Sequence, residues 1–111
     1  MADNKYITQH QENGSVMISE EVLVTIIDQS VTEVDGVSLA GKPGINWGKG
    51  IKLTILDENQ VEVKVYINVD YNHSVSTAAC AAQDSVRSAL ESMTGVEVTC
   101  INVNVCGVVR Q

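Results

Sequence analysis

Three cysteines and two histidines are the side chains in this 111-residue sequence best suited to act as nucleophiles or metal ligands. Cys80, Cys100 and Cys106 form no CxxC pair, and His10 and His73 stand in unrelated segments. No pair has the spacing of a zinc site. A nucleophilic thiol or hydroxyl needs a base beside it. The candidate base is His73, at the entrance to a predicted helix, and no motif links it to a cysteine. Its plainer role is to help cap that helix or to face water. Cys100 and Cys106 share one predicted strand and lie about 20 Å apart along it, beyond disulfide reach. Free cysteines otherwise behave as small apolar residues. This inventory predicts no catalytic residue, no metal and no cofactor.

The glycine-rich stretch GKPGINWGKG at positions 41–50 invites comparison with a phosphate-binding loop. That loop requires G-x-x-x-x-G-K-[ST] between a strand and a helix. Here Gly44 to Gly48-Lys49 is one residue too short, Gly50 replaces the hydroxyl, and a strand follows instead of a helix. The pair Asp57-Glu58 is solvated turn chemistry. With enzyme motifs absent, binding residues are the better candidates.

The elements that must present those residues are well marked. One hundred and eleven residues make one domain. The apolar set has no Phe and many Val and Ile, which favours strands. Residues 1–13 are polar and read as a mobile lead-in. A short strand is predicted at Ser15–Ile18. Ser19 then caps a helix whose first turn holds Glu20 and Glu21. Its buried face is Leu23, Ile26, Ile27, Ser30, Val31 and Val34, and Gly36 is its predicted terminator. A further short strand is predicted at Val37–Ala40. Ile51, Leu53 and Ile55 alternate with polar residues up to the turn at 57–60, and Val61, Val63, Val65, Ile67 and Val69 alternate beyond it. This is an antiparallel hairpin. Ser74 caps a second helix with an inner stripe of Val75, Ala79, Ala82, Val86, Leu90 and Met93, ended by Gly95. In the last strand Val96 and Val98 fall on even positions but Ile101, Val103 and Val105 on odd ones, so a bulge is predicted near Thr99–Cys100. The order β-α-β-β-β-α-β defines an α+β domain over 14–109, with two helices on one face of a small, mostly antiparallel sheet.

Charge narrows the partners. The formal net charge is −7, and residues 1–35 carry seven acids against Lys5 alone. Nucleic-acid affinity rests on Lys and Arg neutralising phosphates, so an RNA-binding role is the weakest of the alternatives. An anionic membrane surface repels such a chain, and nothing approaches a membrane span. A basic protein segment is the natural complement, with Glu21 and Asp28 on the outward face of the first helix as docking residues. Trp47 reads equally as a lid over one end of the core or as an exposed anchor for a partner, and Tyr66 is available to either arrangement. The polar start and the odd number of cysteines predict a cytoplasmic protein with reduced thiols.

The succession Gly14-x-Val16-x-Ile18-Ser19, Glu33-Val34-x-Gly36-Val37, Gly48-Lys49-Gly50 and the alternating Val61–Val69 strand resembles the alkaline-shock and general-stress protein family of Gram-positive bacteria. Gln83 and Val86 extend the match, as do Met93-Thr94-Gly95-Val96-x-Val98, Val103-Asn104-Val105 and Gly107-Val108, so it covers about residues 14–109. Tyr71-Asn72-His73 departs from it where the pattern more often has a Gly after the aromatic. The resemblance implies a cytoplasmic, non-catalytic adaptor or scaffold linked to cell-envelope stress. It also implies a protein partner such as a membrane-anchoring protein, and self-association. A self-assembling structural protein, joined through an unpaired strand edge, is the alternative.

Overall fold

The alternation of Val61, Val63, Val65, Ile67 and Val69 does what its period of two requires. In the computed structural model, which describes residues 6–40 and 50–109, all five side chains are fully buried on one face of a strand. That strand, β5 (Gln60–Asp70), is the spine of the sheet. Along one edge it pairs antiparallel with β4 (Ile51–Asp57) and, farther on, with β3 (Val37–Leu39). Along the other edge it pairs with β6 (Glu97–Val109), and this pairing is parallel. The parity change in β6 is absorbed by a register shift opposite Val61 and Glu62, where Thr99 is the extra residue; a second shift lies at Cys106. The bulge therefore falls where the sequence placed it.

Two helices cover the valine face. In α1 (Glu20–Thr32) the Ser19 hydroxyl accepts from the Val22 amide, and in α2 (Val75–Thr94) the Ser74 hydroxyl accepts from Thr77. Both caps match the sequence reading. So does Gly95, which ends α2 with a left-handed φ of 73°. Gly36 does not end α1. That helix stops at Thr32 with Glu33 as its C-cap, and Gly36 turns the chain into β3 three residues later at φ 80°. The inner stripe of α2 is also displaced. It is Ala78, Ala82, Val86, Leu90 and Thr94, a strict four-residue repeat, while Val75 and Met93 are exposed. Packing of α2 against both α1 and β6 selects this face, and Ser85 reaches the Ser30 carbonyl across the helix pair.

The largest departure lies at the amino end. Residues 6–13 are not a lead-in. Tyr6–Gln11 forms a strand, β1, paired antiparallel with β2 (Gly14–Ser19). Ile7 is 0% exposed within the core. The Thr8 amide donates to the Glu58 carbonyl, the Gln9 side chain donates to the Thr94 carbonyl, and His10 meets Glu58 at 2.8 Å. Polar side chains thus tie this hairpin to the β4–β5 turn and to the end of α2, a job that a hydrophobic pattern does not advertise. The β-α-β-β-β-α-β order is preserved with β1 added in front.

Gly36 lies directly beneath the His73 ring, and a Cβ built there would meet it at 2.6 Å. Replacement by alanine adds this overlap to a left-handed backbone. We expect Gly36→Ala to cost about 1–3 kcal/mol, measured as a shift of the urea midpoint at constant slope.

Candidate functional site

His73 shows what the titratable side chains do in this fold. Its Nε2 lies 3.4 Å from an Asp35 carboxylate oxygen, and its ring packs on Gly36. Its backbone amide donates to the Asp70 carbonyl. The shallow cleft beside it, about 230 Å³, is lined by Val34, Ser74, Thr77, Ala78 and Ala81, with no cysteine among them. Cys80 is exposed on α2, and Cys100 and Cys106 sit on β6. The structure thus does not bring a thiol to the candidate base. Among the described residues no three of His, Cys, Asp and Glu converge as metal ligands.

The binding candidates fall in different places. Trp47 lies outside the described residues. Tyr66 occupies the sheet face away from the helices, yet it is only 5% exposed. Its amide donates to the Gly50 carbonyl and its carbonyl accepts from Ala40, so it sits where β3 gives way to β4. The Lys64 ammonium lies 5.9 Å from its ring centroid. A side chain so enclosed is not a surface anchor, and the expectation for Tyr66 is corrected accordingly. A period-two pattern distinguishes two faces but not whether neighbouring chain covers one of them.

Glu21 and Asp28 do lie on the first helix, as the sequence placed them. Glu21 is exposed and Asp28 half-buried. Glu21 begins a stripe that continues at four-residue steps through Thr25 and Gln29 to Glu33, about 18 Å long at helical rise. Thr25, Gln29 and Glu33 form one wall of a groove of about 300 Å³ between the helices. Ile26 and Ser30 lie beneath them, and Ala89 and Met93 of α2 form the opposite wall. Met93 is 69% exposed. Sequence reasoning gave Met93 to the core and passed over Glu33. The signal for Glu33 was present in its four-residue spacing from Gln29, whereas nothing local reports the groove, because its walls come from helices far apart in sequence. No Lys or Arg occurs between positions 6 and 40, and the described residues hold three in all: Lys52, Lys64 and Arg87. Arg87 is already committed to Glu91 and to the Val98 carbonyl. The face of α1 is therefore acidic with no basic residue of its own element to compensate it.

The second feature is the outer edge of β6. Among the described residues β6 pairs with β5 alone. From α2, Gln83 donates to the Ile101 carbonyl and Arg87 to that of Val98, which closes the first half of the edge. Beyond Ile101 the edge carries no such cover, and Val105 and Val108 are 36% and 52% exposed. Neither helix is long and apolar enough to cross a membrane.

Fold and surface together define a small α+β domain with an acidic helix layer and a half-covered sheet edge. Residues 8–110 match the model of the alkaline-shock protein family, described as having a cell envelope-related function. The chain belongs to that family. It is 29% identical to the uncharacterised protein YqhY of Bacillus subtilis (strain 168) over 97% of this chain and 89% of that protein. It is 30% identical to the uncharacterised protein Spy1535 of Streptococcus pyogenes serotype M6, covering 88% of this chain and 81% of the other. Among solved structures it resembles the MamM CTD, with a TM-score of 0.54, 15% identity, and coverage of 79% of this chain and 94% of that one. At that identity the likeness is one of fold. The resemblance read from the sequence therefore holds at the level of the family.

Proposed function

We propose that this domain is a non-catalytic adaptor that receives a basic, amphipathic segment of another protein along α1 and the adjoining groove. The carrying observation is the Glu21–Thr25–Gln29–Glu33 stripe beside an apolar recess, in a stretch of chain without a single Lys or Arg. A helix-in-groove partner places apolar residues at three- and four-residue spacing into such a recess, and its flanking Lys or Arg meet the acidic wall. Basic residues are concentrated beside membrane-anchored segments on the cytoplasmic side. The family's cell envelope-related description agrees with a partner of that kind, such as a membrane-anchoring protein. The same acidity keeps the domain off anionic lipid unless a partner holds it there.

A fluorescein-labelled helical peptide with Leu at i, i+3, i+4 and i+7 and Lys on the flanks tests this directly. Fluorescence polarisation should show saturable binding that weakens as ionic strength rises from about 50 to about 300 mM, because exposed ion pairs are screened. A peptide with the same Leu pattern but Glu in place of Lys should not bind. Equal affinity for both peptides would dispose of the charge-based reading.

A further inference from the structure

The free edge of β6 is unusual in what it lacks. Exposed edge strands are normally blunted by charge, by Pro, by shortness or by cover. Here β6 runs for thirteen residues, and from Val98 to Val109 it contains no charged residue and no Pro. Its one form of protection stops at Ile101, where the Gln83 side chain takes the edge carbonyl. Backbone groups alternate in direction along a strand. Since the Val98 and Ile101 carbonyls face α2 side chains and the Val109 carbonyl accepts from Tyr71 on the β5 side, those of Val103 and Val105 face outward.

We infer that residues 103–109 of β6 pair antiparallel with the same residues of a second copy, giving a two-fold dimer with one continuous sheet. Three features select a second copy over a different strand. The chain bears a net charge of −7, so two copies approach most easily through a segment with no charge, and 98–109 is such a segment. A two-fold axis perpendicular to the sheet keeps each face on its own side. Val105 and Val108, on the helix side, then meet their equivalents, and Asn102 and Asn104, on the open side, meet polar partners. Finally, the covers at Val98 and Ile101 act as stops. In an antiparallel pair each copy's stop lies beyond the end of the other's strand, so the overlap is confined to 103–109 with Cys106 near its centre. Because the pairing uses the same edge twice, it closes at two copies and does not propagate as a filament. This interface is separate from the α1 groove, and either proposal can fail without the other.

Sedimentation velocity over a concentration series, on the full chain under reducing conditions, should show the mass rising from 11.9 kDa to twice that value. Val105→Lys sets two like charges beside the axis and should hold the protein at the monomer mass throughout. Leu56→Lys, on exposed β4, should leave the dimer unchanged. If Val105→Lys proves unfolded by circular dichroism, Val108→Lys serves in its place. As an independent readout, copper–phenanthroline in air should join two copies through Cys106, a link lost in Cys106→Ser and retained in Cys80→Ser. A monomer at every concentration overturns the inference and leaves the edge to a different chain. A dimer indifferent to both lysine variants, or cross-linking independent of Cys106, overturns it as well.

Discussion

Ile7→Ala should destabilise this protein by about 2–5 kcal/mol, the range for truncating a fully buried aliphatic side chain. Ile7 is 0% exposed and packs within the same core as Leu23 and Val61. The loss combines the transfer free energy of the removed carbons with the cost of the space they leave. Relaxation into that space is restricted, because β1 is tethered by the Thr8 amide to Glu58 and by the Gln9 side chain to the end of α2. The neighbouring Tyr6 is exposed, and Tyr6→Ala should stay within about 0.5 kcal/mol. Urea unfolding of the two variants side by side distinguishes a structural first strand from a dispensable lead-in. Near-equal midpoints would mean that β1 adds nothing to the core.

The second large effect concerns binding. Glu21→Lys combined with Glu33→Lys should weaken binding of the Lys-bearing helical peptide by about 10–100-fold. Each exposed ion pair is worth about 0.2–1 kcal/mol. Reversal both removes an attraction and installs a repulsion, so two sites together reach about 1–3 kcal/mol, which converts to that range. Stability should hardly change. A lysine at position 21 opposes the positive end of the α1 dipole, whereas a lysine at position 33 complements the negative end, and each effect is about 0.3–1 kcal/mol with opposite sign. Isothermal titration calorimetry measures the affinity, and a thermal melt of the same sample checks the fold. Unchanged affinity in a folded variant would separate the acidic stripe from any role in partner binding.

Much of the fold was written in local pattern. The period-two valines of β5, the serines that cap both helices, Gly95 and the parity change at Thr99 are each decided by residues within a few positions of one another. The site was legible only in part. Glu21 and Asp28 follow from helical spacing and charge, but the groove beside them joins Gln29 to Met93, and no short-range signal connects those positions. Tyr66 looked outward by parity and is enclosed all the same. Strand β1 escaped notice because Thr8, Gln9, His10 and Gln11 show no apolar alternation, and their value lies in hydrogen bonds to Glu58, Asn59 and Thr94.

Composition, periodicity, local charge and the order of short motifs were enough for the α+β class, the two helices, the central hairpin, the acidity of α1 and the family. Other properties emerged only once the chain was folded. These are the parallel run of β6 along β5, the choice of inward residues on α2, the cover that Gln83 and Arg87 lay over half of an edge, and the groove between the helices. The reason is physical: pairing direction and burial are set by contacts between segments far apart in the chain, where the free energy of packing the whole core outweighs the preference of any one stretch.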